Sequence, residues 1–152
     1  RFNKCEGIPF YQFLKNLSLK EIETILKEFG EERFSRKIAY NIYKANKIRT
    51  VLDLKNIIKK STPPKNRNKS FARVFQAFRI AINKELEILN KFLHTFIELL
   101  SKNGRIVILS YHSLEDRLVK HAFKKLKNEG HLDILTKKPI VARASEIKIS
   151  ND

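Results

Sequence analysis

At 152 residues and 17.9 kDa the chain has room for one domain or part of a larger one. Its 42% hydrophobic and 32% charged residues can form a packed core, which excludes global disorder, and four Gly and four Pro exclude collagen-like and low-complexity classes. Lys and Arg number 32 against 16 Asp and Glu, a net charge of +16 that attracts polyanions, nucleic acid foremost, although AT-rich codons also favour the abundant Lys, Asn, Ile and Phe.

The first helix is expected from Pro9 to Leu17, with Phe10, Phe13, Leu14 and Leu17 on one face. Ser18 and Glu21 form a capping-box pattern ahead of a second helix with Leu19, Ile22, Leu26 and Phe29 at helical spacing, stopped by Gly30. A third helix spans Glu32 to Asn46 with Phe34, Ile38, Ile42 and Ala45 inward, and Thr50 caps a fourth from Val51 to Lys60, striped by Leu54, Ile57 and Ile58. From Lys59 to Lys69 the chain carries Lys59, Lys60, Lys65, Arg67 and Lys69, two prolines and no acid. This reads as an exposed basic loop that either neutralises phosphates or is a solvated linker.

Ser70 to Lys102 has a helical pattern throughout, with a kink or break near Asn83, a weak helix former, and an end at Asn103-Gly104. The pattern then changes. Arg105 to Tyr111 is a β-branched, nearly continuous apolar run that suits a strand buried on both faces. Ser113 caps a helix from Leu114 to Lys127, with Asp116 at the capping-box position; Asn128 to His131 turn the chain, and Leu132 to Thr136 form a second strand. The expected content is mostly α, about six helices plus two strands. Two strands cannot bury both faces alone, so the Ile106 strand calls for neighbours outside this chain, in a larger α/β sheet.

No apolar run approaches membrane-spanning length. The one cysteine, Cys5, excludes a disulfide framework or a Cys-based zinc site, and no secretory signal is visible at the start, which together suggest a reducing, cytoplasmic compartment. The chain has no Met and starts at Arg1, so it reads as a piece of a longer protein.

The Gly-rich nucleotide loop, the Gly-x-Ser-x-Gly elbow and the His-Glu-x-x-His metal pattern are all lacking, and no metal is expected. The densest polar cluster is Tyr111-His112-Ser113-Leu114-Glu115-Asp116-Arg117, just past the carboxyl end of the expected strand, where open α/β sheets bind ligands. His112 can move a proton or hydrogen-bond a base, while Glu115, Asp116 and Arg117 also fit a helix cap with surface ion pairs. A second cluster, Arg73, Gln76, Arg79, Asn83 and Glu85, puts Gln76, Arg79 and Asn83 on one helix face, either a ligand contact or a solvated surface. Tyr40 and Tyr43, three apart on a basic helix, either stack on bases or, the weightier reading, pack inward.

Four segments carry a resemblance. They are Phe29-Gly30-Glu31-Glu32-Arg33-Phe34 through Ala39, Phe75-Gln76-Ala77-Phe78-Arg79 through Leu86, Gly104 through His112-Ser113-Leu114-Glu115-Asp116-Arg117 to Lys120, and Leu135-Thr136-Lys137-Lys138-Pro139. In this order they resemble the bacterial small-subunit ribosomal RNA methyltransferase H family, also called MraW. Departures are Asn103 before Gly104, Val74 before the Phe-Gln-Ala block, and Val141 to Ala144 after Lys-Pro-Ile.

The resemblance implies a Rossmann-like class I α/β methyltransferase with a helical insert. It implies S-adenosylmethionine as cofactor, 16S ribosomal RNA or the small subunit as partner, and methyl transfer to the N4 of a cytosine. It places the family's cofactor-binding loops upstream of Arg1, so this chain alone is expected to be inactive and to hold no cofactor-binding residues. Residues 1–69 are then a helical substrate-recognition insert, and residues 70–152 the long helix and the last strand-helix-strand part of the methyltransferase domain. His112, Ser113, Glu115 and Asp116 are the expected catalytic-site residues. Lys59, Lys60, Lys65, Arg67, Lys69, Arg79 and Asn83 are the expected RNA contacts. The alternatives are a non-catalytic helical RNA-binding module, which leaves the strand and the His112 cluster unexplained, and an interaction protein docking through apolar faces.

Overall fold

The computed structural model describes residues 8–45, 48–136 and 138–141. By its contacts the chain divides into two compact units, Arg1–Leu89 and Asn90–Asp152.

In the first unit, α1 (Phe10–Lys15) leads to α2 (Leu19–Glu28), α3 (Ser35–Lys44), α4 (Val51–Ser61) and α5 (Arg67–Asn83). α2 packs on α3, α3 on α4, α4 on α5, and α5 closes back on α2. The centre holds Ile22, Leu26, Ile38, Ala39, Ile42, Ile48, Leu54, Ile58, Val74, Ala77 and Phe78. Burying each large aliphatic stabilises by about 1.5–3 kcal/mol before entropy is counted. α1 joins through an edge-to-face contact of Phe10 with Phe78, ring centroids 5.1 Å apart.

Local chemistry sets two helix starts as expected. The Ser18 N–H donates to Glu21 Oε2 at 2.8 Å and the Glu21 N–H donates back to Ser18 Oγ at 3.3 Å. Thr50 and Asp53 repeat the pattern, with the Asp53 N–H on Thr50 Oγ1 at 3.1 Å and the Thr50 and Arg49 N–H groups on Asp53 Oδ2 at 2.9 and 3.0 Å. The bonds to Ser18 hold the Glu21 carboxyl below its ordinary value, and those from the Thr50 and Arg49 backbone do the same for Asp53. Phe29 is the C-cap of α2 and Gly30 follows it at the expected stop position, but the left-handed residue is Glu31 (φ 47°). The role of Gly30 is close packing: a Cβ there would lie 2.8 Å from both the Arg73 and Leu26 carbonyl oxygens.

Several bounds differ from those read off the sequence. α1 stops at Lys15, and α3 starts at Ser35 because Glu31 takes a left-handed conformation (φ 47°) and Glu32 turns back, its Oε1 accepting the Phe34 N–H at 2.9 Å. Asn46, the expected end of α3, lies outside the described residues. The basic stretch is not a loop. Lys59 and Lys60 end α4, Lys65 sits in a 3-10 turn (Pro64–Asn66), and Arg67 and Lys69 open α5. Pro64 at the first position of that turn fixes φ where no N–H is needed, so the chain reverses in a few residues and α5 starts ahead of Ser70.

The expected break in the long helix is real. Lys84 is left-handed (φ 52°, ψ 36°), dividing α5 from α6 (Glu85–Thr95), which runs into a 3-10 turn (Phe96–Leu99). That break raises the helix count from six to seven among the described residues. The helical stretch ends at Leu99, ahead of Asn103-Gly104.

In the second unit, Phe96 packs on Phe92 and on Phe123 of α7 (Ser113–Asn128), with centroids 5.8 and 5.9 Å apart. The two expected strands do not form among the described residues: residues 104–110 and 132–136 carry no ladder. Ile106, Ile108 and Ser110 are half-buried, whereas Val107 is 93% and Leu109 75% exposed. This alternation is that of an extended segment covered on one side. A strand exists only with a hydrogen-bonded neighbour, and the described residues supply none to it.

Candidate functional site

The His112 cluster is built at the start of α7. His112, rather than Ser113, is the N-cap: its backbone is extended (φ −148°, ψ 164°) and its Nδ1 accepts the Glu115 N–H at 3.3 Å. The imidazole thus does what a Ser hydroxyl does in an ordinary cap, and the neutral ring must carry its proton on Nε2. Glu115 folds back in return, its Oε2 accepting the Tyr111 N–H at 2.7 Å while its Oε1 lies 3.4 Å from His112 Nε2. That contact is too poorly aligned to be a hydrogen bond, so the buried Nε2 has no hydrogen-bond partner. The His112 side chain is 6% exposed.

Ser113 is exposed, and Asp116 is half-buried with its N–H on the His112 carbonyl at 3.2 Å. Asp116 is therefore not at the third helical position, as spacing had suggested; Glu115 is, because the cap falls one residue earlier, and its carboxylate accepts the Tyr111 N–H rather than that of the cap. The first turn of α7 bears Glu115 and Asp116, both complementary to its positive end.

Arg79 and Asn83 converge on one carboxylate across the break between α5 and α6. Arg79 Nε lies 3.0 and 3.2 Å from the two Glu85 oxygens, and the Asn83 amide donates to Glu85 Oε1 at 3.0 Å. Gln76 turns elsewhere and donates to the Phe29 carbonyl at 3.3 Å, tying α5 to the end of α2. Left-handed backbone at a residue with a side chain costs about 1–2 kcal/mol, and this three-residue clip holds it.

Lys59, Lys60, Lys65 and Lys69 are exposed. Arg67 is half-buried, with its Nε buried and lacking a hydrogen-bond partner. The expected fivefold cationic set is thus four exposed lysines around one partly buried arginine. Tyr40 and Tyr43 do not pack inward: they are 45% and 59% exposed. Not foreseen from the sequence is an open groove of ≈ 440 Å³ in the first unit, bordered by Phe13, Leu17, Ile25, Phe29, Ala81 and Leu86, which holds none of the expected site residues. No described helix is long and apolar enough to cross a membrane.

The His-Ser-Leu-Glu-Asp-Arg turn is the segment that resembles the methylase class. The chain belongs to the MraW methylase family, whose profile matches residues 1–152. Among its relatives is the ribosomal RNA small subunit methyltransferase H of Buchnera aphidicola subsp. Cinara cedri, 50% identical over 129 residues, covering 82% of this chain and 42% of that protein. The protein of the same name from Clostridium botulinum strain 657 is 39% identical over 171 residues, covering 99% and 55%. That from Sulfurihydrogenibium azorense is 44% identical over 154 residues, covering 97% and 53%. The chain spans about half the length of the curated relatives it matches.

Proposed function

We propose that this chain belongs to a methyltransferase that moves a methyl group from S-adenosylmethionine to the N4 of a cytosine in 16S ribosomal RNA. The observation that carries the reading is the match of nearly the whole chain to proteins named ribosomal RNA small subunit methyltransferase H. The exposed, acid-free lysine surface from Lys59 to Lys69 supports it, because a phosphate backbone is the partner such a surface fits.

The sequence offers no Gly-rich cofactor loop. Its glycines, Gly7, Gly30, Gly104 and Gly130, are scattered, and none opens a Gly-rich phosphate or nucleoside loop. In this reading the chain by itself is inactive. The parent fold is a Rossmann-like α/β methyltransferase, with residues 1–69 as the RNA-recognition part and residues 70–152 as part of the methyltransferase domain.

The roles are as follows. Lys59, Lys60, Lys65, Lys69 and the outer nitrogens of Arg67 hold phosphates. Arg79 and Asn83 order the break between α5 and α6 through Glu85 and present its edge to RNA. His112 Nε2 lacks a hydrogen-bond partner and is the donor assigned to the flipped-out cytosine, which must leave its stack to be modified; the atom is buried in this chain, so the ring has to turn outward to reach the base. Glu115 holds the ring, and Ser113 and Asp116 line the same turn. Fixing the exocyclic amine on one approach line is the main contribution residues of this kind can make to a displacement at carbon.

The test is methylation of small-subunit RNA by the full-length protein, with mass spectrometry of the digested nucleosides. N4-methylcytidine is the expected product. A methyl group on another atom overturns the N4 assignment. RNA binding without methylation overturns the enzyme reading in favour of a non-catalytic binding module.

A further inference from the structure

We propose that the outward face of α3 is a stacking platform for unpaired RNA bases, set beside the phosphate-binding lysines. The inference rests on the RNA reading above and deepens it.

The geometry starts from helix periodicity. Arg36, Tyr40 and Tyr43 lie at i, i+4 and i+7, on one stripe, with Lys37 and Lys44 flanking it; all five are exposed. Ser35, Ile38, Ala39 and Ile42 form the opposite, buried face. Packing therefore does not account for the tyrosines: the helix already has its core stripe without them.

Their electrostatic setting selects the ligand. From Arg33 to Arg49 the sequence has six cations, Arg33, Arg36, Lys37, Lys44, Lys47 and Arg49, and no acid. Lys44 Nζ sits 4.6 Å from the centroid of the Tyr40 ring. A cation held over one ring face, with other cations around it, repels a cationic partner and favours an anionic one. Rings plus cations fit a chain that offers both a π-face and a phosphate at every residue, which is single-stranded nucleic acid. Bases inside a duplex are already stacked and cannot lie on an exposed tyrosine.

Position ties the stripe to the lysines. The Asn41 side-chain amide donates to Ser61 Oγ at 2.8 Å, and Ser61 Oγ donates to the Ile57 carbonyl at 2.7 Å. This buried-side link fixes the middle of α3 to the C-terminal end of α4. The stripe and the lysine-bearing end therefore lie on two helices in contact. The proposal puts the phosphates of a bound strand on Lys59 and Lys60 and its bases on the rings.

The experiment titrates full-length protein with a short single-stranded oligoribonucleotide carrying 2-aminopurine, and with the same strand in duplex. Tyr40→Ala with Tyr43→Ala should weaken single-stranded binding about tenfold or more per ring, abolish the quenching caused by stacking, and leave the salt slope unchanged. Tyr40→Phe with Tyr43→Phe keeps the rings and should bind as the parent does. Lys59→Gln with Lys60→Gln should lower the salt slope instead. If the parent binds, the lysine variant weakens and the alanine variant does not, the platform is refuted and the RNA reading stands. If the parent binds no RNA, both fail. If the alanine variant binds RNA normally but loses self-association in sedimentation, the face is an interface between copies and the platform is refuted.

Discussion

Replacing His112 separates the two roles its ring could have. As N-cap it accepts the Glu115 N–H through Nδ1 at 3.3 Å, and Asn is among the best residues for that task, its Oδ1 reaching the same backbone groups. His112→Asn should therefore keep the start of α7, with stability within about 0.5 kcal/mol of the parent. His112→Ala removes the cap, which costs about 1 kcal/mol, and it also empties the space of a ring that is 6% exposed. The order of melting temperatures expected for the full-length protein is parent, then Asn close behind, then Ala. Activity should rank differently. Asn cannot supply a donor where Nε2 stands, so a target amine fixed by that donor loses its approach line. Misplacement on this scale costs about 10²-fold in rate. The assay is single-turnover methylation of small-subunit RNA with both substrates saturating, which isolates the chemical step from binding. Equal rates for the parent and His112→Asn, with matched melting temperatures, would refute a positioning role and leave the ring a helix cap only.

Gln replacements at Lys59, Lys60, Lys65 and Lys69 should each lower the salt slope of RNA binding by about 0.7–0.9, while Arg67→Gln, at a half-buried side chain, should lower it less and cost stability instead; affinities across a salt series decide this. Gly30→Ala drives a Cβ to 2.8 Å from two carbonyl oxygens, so it should destabilise by about 1–3 kcal/mol in denaturant titration, with the slope of the transition unchanged. The carboxyls of Glu21 and Asp53 lie below their ordinary values of 4.5 and 3.8, so the folded state binds fewer protons and stability must fall as pH drops below 4.5 and through the lowered folded values. Glu21→Gln with Asp53→Asn should make that acid dependence shallower, as followed by thermal melts across pH; a parallel dependence in parent and variant would remove the caps as its source.

Much of this chain was legible without coordinates. The capping box at Ser18, the cap at Thr50, the core stripes of α2, α3 and α4 and the break after Asn83 all depend on residues within a turn or two of one another. Side-chain hydrogen bonds at i, i+3 and apolar spacing near 3.6 act over that range whatever the rest of the chain does. Charge excess and the four resembling segments are likewise properties of sequence alone.

Tertiary structure decided what depends on distant partners. The cap of α7 moved from Ser113 to His112 because Glu115 reaches back to the Tyr111 N–H, a choice among three adjacent polar residues that spacing does not rank. The five cations of the basic stretch divided into exposed lysines and a half-buried arginine once Pro64 turned α4 into α5. Tyr40 and Tyr43 faced outward because Ile38, Ala39 and Ile42 already filled the side of α3 that meets α2 and α4. Arg105 to Ser110 kept an apolar sequence and formed no ladder among the described residues, since strand pairing belongs to two segments and β-propensity to only one.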